Sequence, residues 1–145
     1  MLFKILNLAL VAIYAIGSGL WVNTGDSWYR NLNSPSWQPP DWVFGVIWPY
    51  NFIVLAYVGW LVSSKVWISI FALTIVLALT WAYQFYVPHN LYFASISLTG
   101  VAVLTIPLLV IGFRGVGITA VLLIPYQIWV ATAATLSYGY FKLNS

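Results

Sequence analysis

The sequence predicts an all-α fold, an integral membrane bundle of five transmembrane helices. Three observations carry that expectation. Of the 145 residues, 63% are hydrophobic and only 5% are charged, whereas soluble domains run near about 45–50% apolar and about 25% charged. The seven charged side chains, Lys4, Asp26, Arg30, Asp41, Lys65, Arg114 and Lys142, leave charge-free runs at 5–25, 42–64, 66–113 and 115–141. A helix crossing the hydrocarbon core needs roughly 20 apolar residues, so three runs fit one crossing each and 66–113 fits two. Pro88-His89-Asn90 breaks that long run near its middle. Strands fail as an alternative, because transmembrane strands are about 9–11 residues long with alternating polarity.

The elements follow in order, all within one domain, 1–145. Helix 1 is expected over about 2–22. Its apolar stretch is longer than the roughly 7–15 residues of a signal-peptide core, and no small-residue cleavage site closes it, so it reads as a retained first helix. Residues 23–41 form the one substantial loop, holding both acids and three of the seven prolines. Helix 2 is expected over about 42–62, then a Ser63-Ser64-Lys65 link, and helix 3 over about 66–86. Helix 4 runs about 90–111, closed by Gly112-Phe113-Arg114-Gly115, and helix 5 about 117–140. Pro49, Pro107 and Pro125 fall inside helices, where each frees a carbonyl that must find a partner within the protein. Pro125 reads either as a tolerated kink or as a widening of helix 5 beside a cavity. Ala131, Thr135 and Gly139 recur at i+4 on helix 5; such small residues either pack inside the bundle or carry a dimer contact. With five crossings, Lys4, Lys65 and Arg114 share one side against Arg30 and Lys142, which places the N-terminus in the cytoplasm and the C-terminus opposite.

Catalytic chemistry has little to work with. There is no cysteine and one histidine, so neither thiolate chemistry nor a multi-histidine metal site is expected. Asp26 and Asp41 read as solvated loop acids, and His89 as a solvated interfacial side chain. Five scattered basic residues make no nucleic-acid patch. Aromatic residues are the unusual signal, at 19% of the chain. Trp21, Trp28, Trp42, Trp60 and Trp67 lie near predicted membrane boundaries, where tryptophan anchors to the interface. Trp48, Trp81 and Trp129 lie inside predicted helices. An indole N–H buried in hydrocarbon without a partner is costly, so these three should face the bundle interior. That interior suits a flat, apolar, conjugated ligand, with structural packing alone as the alternative. The loop, with Trp28-Tyr29 and Pro35-Ser36-Trp37-Gln38-Pro39-Pro40, reads as a stiff aromatic lid.

These residues resemble a known family. Trp28-Tyr29, Leu32, Pro35-Ser36-Trp37-x-Pro39-Pro40 and Trp42-x-Phe44-x-x-Ile47-Trp48 are similar to the signature of the TspO/MBR family, the tryptophan-rich sensory proteins related to the mitochondrial translocator protein. Leu122-Leu123-Ile124-Pro125-Tyr126-x-x-Trp129-x-Ala131-x-Ala133-x-x-Leu136 resembles the family's helix 5 pattern. The resemblance implies a five-helix bundle, usually a homodimer in the lipid bilayer. It implies a receptor or carrier that binds porphyrins such as protoporphyrin IX and similar flat ligands, with no cofactor required. A light-dependent porphyrin-degrading enzyme and a stress-related scaffold are the alternatives. Carried over residue by residue, it implies a site containing Tyr29, Pro39, Trp48, Trp129 and Ala133. Trp37 and Tyr126 from the same motifs, with Thr80 and Trp81 of helix 3, complete the candidate set. Where the family usually reads Leu-Asn in helix 3, this chain has Leu79-Thr80-Trp81, and late in helix 5 it has Leu136-Ser137. Thr and Ser each donate one hydrogen bond with shorter reach than an amide. A sterol-type motif is also readable at Leu136, Tyr138 and Lys142.

Overall fold

The computed structural model describes Met1–Ser145 and is helical throughout. The α-helices are α1 (Leu2–Tyr29), α2 (Asp41–Val62), α3 (Lys65–Tyr86), α4 (Leu91–Val116) and α5 (Ile124–Asn144), with a 3-10 helix (Gly117–Leu123) between the last two. Local chemistry sets the ends. The Ser64 side chain accepts from Trp67 N at 3.1 Å to start α3. Asn90 does the same for α4, accepting from Phe93 N at 3.1 Å, so the break expected at Pro88-His89-Asn90 is present. Such caps pair backbone N–H groups that the first helical turn leaves free.

Three expected boundaries are corrected. α1 does not stop near residue 22 but continues to Tyr29, so the loop expected over 23–41 shrinks to 30–40. The segment 23–29 contains no proline, and Asp26 supports one more turn through an i,i+4 pair with Arg30 at 3.0 Å. Asp26 is thus a helix residue, not a loop acid. α4 does not close at 112–115 but runs to Val116, and Gly117, at φ +59°, turns the chain there. Pro125 is not a kink inside helix 5, because α5 begins at Ile124 and the proline sits in its first turn, where its missing N–H costs nothing. Pro49 and Pro107 do lie inside α2 and α4.

Four helical runs are long and apolar enough to cross a membrane: Leu2–Tyr29, Asp41–Val62, Lys65–Tyr86 and Leu91–Asn144. The expectation of five such separate helices is corrected accordingly, because α4, the 3-10 helix and α5 follow without a break over 54 residues. This last run doubles back on itself. Gln127 Nε2 donates to Ala102 O at 3.1 Å, the rings of Tyr92 and Phe141 lie 5.3 Å apart, and Gly112 faces Ala120 and Leu123. The paired residues fall in reverse order, so α4 and α5 are antiparallel.

The main seams join α3 to α4, α4 to α5 and α1 to α3. By contrast α2 meets α3 and α5 in few places. The core is aromatic and aliphatic, with Trp67, Tyr14, Tyr126 and Phe71 wholly buried. Trp67 is therefore no interface anchor. Its Nε1 donates to Asn7 Oδ1 at 2.9 Å, and Asn7 Nδ2 donates to the carbonyls of Leu55 and Ala56 at 3.3 and 3.1 Å. One buried amide thus ties α1, α2 and α3 together. Only glycine fits at position 59, because a Cβ there would overlap the Asn7 amide. The small stripe of α5 does not pack inside the bundle: Ala131 and Thr135 are exposed, and Gly139 abuts Pro35 of the loop.

The Asn7 tie generates a stability prediction. Asn7→Ala leaves Trp67 Nε1 buried and unpaired, which costs about 1–2 kcal/mol. Thermal unfolding in detergent should show that loss. It should be non-additive with Trp67→Phe, because the two side chains share one bond. An Asn7→Ala protein as stable as the parent would show that the amide ties nothing.

Candidate functional site

The site follows from the loose fit of α2. Between α2, α3 and α5 lies a chamber of about 50 Å³ lined by Phe44, Trp48, Trp81, Phe85, Tyr86, Trp129, Ala133, Leu136, Ser137 and Tyr140. A second chamber of about 280 Å³ lies beside α1, lined by Ala15, Ser18, Gly19, Val22, Asn23 and Phe52. The two share Phe44, Trp48, Trp81 and Tyr86 as a common wall. The larger chamber alone approaches the lower end of the ~300–1,000 Å³ range of small-molecule pockets.

Helical spacing puts these side chains together. Phe44, Trp48 and Phe52 recur every four residues on α2, and Trp81 and Phe85 do so on α3. Trp129, Ala133, Ser137 and Tyr140 form one stripe of α5. The rings meet edge to face, Trp48 against Trp129 at 6.4 Å and 90°, and Phe44 against Trp129 at 5.0 Å and 84°. Such edge contacts suit the ring quadrupoles.

Electrostatically the small chamber is unusual in one respect. Trp81 Nε1, Trp129 Nε1 and Ser137 Oγ are buried and make no hydrogen bond within the protein. All three belong to the lining. No lysine, arginine, histidine or carboxylate lines either chamber.

Over this end lies the loop 30–40, latched to α5. Gln38 Nε2 donates to the Tyr29 hydroxyl at 3.3 Å, the Tyr140 hydroxyl donates to Gln38 Oε1, and the two tyrosine hydroxyls are 3.1 Å apart. Asn33 N donates to Asn144 Oδ1 at 2.9 Å, and Asn144 Nδ2 donates back to Asn33 O at 3.0 Å. The Tyr29 ring lies tilted against those of Tyr140, Tyr86 and Phe85, with centroids 5.5, 5.8 and 6.0 Å away. It caps the chamber from above rather than lining it.

Of the nine residues expected at the site, Trp48, Trp81, Trp129 and Ala133 line the small chamber. The others do not. Trp37 is 52% exposed. Pro39 is half-buried in the loop and is not part of the lining. Thr80 turns its hydroxyl to Val76 O at 2.7 Å. Tyr126 is wholly buried one turn before Trp129 and outside the lining, its hydroxyl 3.0 Å from that of Tyr14. The lining also holds Phe85, Tyr86 and Tyr140, which sequence reasoning missed. For Phe85 and Tyr140 the signal was the i,i+4 continuation from Trp81 and from Leu136; Tyr86 had none. His89, expected to be solvated, is exposed at its edge but stacks flat on Trp28, with centroids 3.7 Å apart.

Comparison with known proteins agrees with this architecture. The chain is 29% identical over 124 residues to the tryptophan-rich protein TspO of Bacillus cereus, covering 81% of each chain. It is 30% identical over 138 residues to the translocator protein of Homo sapiens, covering 89% of this chain and 82% of that one. It is 25% identical over 152 aligned positions to the protein CrtK of Rhodobacter capsulatus, covering 96% and 95%. The profile of the TspO/MBR family matches residues 6–143. The chain is a multi-pass integral membrane protein belonging to the TspO/MBR family.

Proposed function

We propose that this protein is a five-pass membrane receptor or carrier that binds a flat, conjugated, hydrophobic ligand of the porphyrin class between α2, α3 and α5. The observation that carries the reading is the chamber itself. Seven aromatic side chains, Phe44, Trp48, Trp81, Phe85, Tyr86, Trp129 and Tyr140, wall it, and two indole N–H groups and one hydroxyl of its lining residues lack partners. A polar group left unpaired in an apolar interior costs free energy. A bound ligand with hydrogen-bond acceptors would recover that cost, while stacking and dispersion hold its face.

Five passes are supported by the antiparallel doubling of Leu91–Asn144, each arm of which is long enough to cross alone. Lys4 lies over the Trp60 ring at 5.0 Å, and Val62, Ser64 and Arg114 line one concavity. Lys4, Lys65 and Arg114 thus gather at one end, and Arg30 and Lys142 at the other. That bias favours a cytoplasmic N-terminus. A second copy of the chain is the expected partner of the uncovered α5 stripe at Ala131 and Thr135. Ligand access requires the latched loop to open.

Two measurements test this reading. Reporters fused before Met1 and after Ser145 should read from opposite sides of the membrane; the same side for both would refute five passes. In the dark, protoporphyrin IX should quench tryptophan fluorescence and be recovered intact, whereas consumption of porphyrin under light would favour the enzymatic alternative. In that assay Trp129→Phe should cost less than about tenfold in affinity and Trp129→Ala clearly more. The Ala change should couple with Trp48→Ala, because both rings flank one ligand. Unaltered binding by Trp129→Ala would place the ligand elsewhere.

A further inference from the structure

We infer that the end of the bundle opposite the loop holds the headgroup of an anionic phospholipid, in a concavity between the ends of α2, α3 and α4. This site shares no residue with the aromatic chambers and does not depend on what they bind.

The first observation is a shaped space at the helix ends. A concavity of about 350 Å³ is lined by Val62 at the end of α2, Ser64 of the link, Val66 of α3, and Ile111, Arg114 and Gly115 of α4. Gly115 brings α4 close to α2, since a Cβ there would lie 3.3 Å from the Val62 side chain. The chain turns between α2 and α3 at Ser63, in the left-handed region at φ 45°. Lys65, which is exposed, sits in the chain between the lining residues Ser64 and Val66. Lys4 lies over the ring of Trp60, two residues before Val62. A polar link and three cations thus mark the membrane boundary around an opening with apolar walls.

The second observation is uncompensated charge. The chain's two acidic side chains, Asp26 and Asp41, both pair with Arg30 at the other end. Lys4, Lys65 and Arg114 therefore have no carboxylate partner. In a bilayer the available counter-charge is lipid phosphate, and basic pockets between transmembrane helices suit such headgroups. A guanidinium matches a phosphate well, because its fork donates two parallel bonds. With no acid at this end, the ammonium of a zwitterionic headgroup gains nothing, so a net anionic lipid is favoured. The third observation is a path for the acyl chain. Val110, Ile106 and Val103 continue from Arg114 along one stripe of α4, and they are 46%, 55% and 58% exposed. Apolar surface thus runs from the cation into the hydrocarbon, which a lipid uses and a free phosphate does not.

The test is native mass spectrometry of the full chain in detergent, titrated with phosphatidylglycerol and with phosphatidylcholine of the same acyl chains. Phosphatidylglycerol should bind about fivefold more tightly or better, since each nearby cation contributes about that much. Arg114→Gln should abolish the preference, and Arg114→Lys should keep part of it. Val66→Trp fills the concavity without changing charge, so it should weaken phosphatidylglycerol binding too. Lys142→Gln removes the same charge from the other end and should leave binding unaltered. Glycerol phosphate, which carries the charge without the chains, should not compete at equal concentration. Arg114, Val66 and Lys142 are all exposed, so each variant should keep the parent's helical circular dichroism. Equal binding of the two lipids, or a preference that survives Arg114→Gln, overturns the inference. Normal binding by Val66→Trp, or an equal loss in Lys142→Gln, would mean attraction by net charge without a site and overturns it as well. Competition by glycerol phosphate would make the occupant a soluble anion and end the lipid assignment.

Discussion

In a chain with seven charges among 145 residues, every polar group that leaves the membrane surface must find its partner inside the protein. Hydrocarbon offers none, and the cost of failing is a few kcal/mol per group. Most of the bundle obeys this constraint. Hydroxyls on the helices, such as Thr74, Thr105 and Ser97, return their protons to carbonyls one turn back. Asn7 satisfies itself against two carbonyls and the Trp67 indole. Tyr14 and Tyr126 pair with each other. Six buried atoms break the rule: Asn51 Nδ2 and Oδ1 and Gln127 Oε1 elsewhere in the bundle, and Trp81 Nε1, Trp129 Nε1 and Ser137 Oγ on residues lining the small chamber, where α2 stands away from α3 and α5.

The loop and the chamber act on one another through α5. Its stripe from Trp129 to Tyr140 lines the chamber at one end and holds the loop at the other, through the Tyr140 hydroxyl and the Asn144 amide. The Tyr29–Gln38–Tyr140 hydrogen bonds therefore adjoin the chamber, whose lining Tyr140 shares. The arrangement buries no charge: the cluster of Asp26, Arg30 and Asp41 is exposed at the surface.

Much of the fold was legible in the sequence because hydrophobic length is a strong signal. The turn at Pro88-His89-Asn90 and the caps at Ser64 and Asn90 follow from local chemistry. Trp48, Trp81 and Trp129 were readable as inward-facing, since an indole N–H is costly against lipid. What failed was more subtle. The end of α1 was misplaced because Asp26 looked like a loop acid, whereas its i,i+4 pair with Arg30 extends the helix. Pro125 looked like an interior kink because the 3-10 helix before it is invisible to hydropathy. Tyr126 belongs to the motif that carries Trp129 and lies only about 60° from it around the helix, yet its ring is buried in the core and its hydroxyl meets that of Tyr14. Thr80, next to Trp81, likewise faces its own backbone. Neighbours along a helix do not share a face, and motif membership did not resolve which did. Trp67 sits at a helix start like an anchor, and only the distant Asn7 explains its burial.

The account is tested most directly by the indole N–H resonances of Trp81, Trp129 and Trp67 in ¹⁵N-labelled protein. Trp67 already donates to Asn7, whereas Trp81 and Trp129 donate to nothing. Adding an acceptor-bearing flat ligand such as protoporphyrin dimethyl ester should therefore shift the Trp81 and Trp129 signals strongly and leave Trp67 in place. Signals of Trp81 and Trp129 that stay fixed at saturation, or a Trp67 signal that moves as far as theirs, would contradict it.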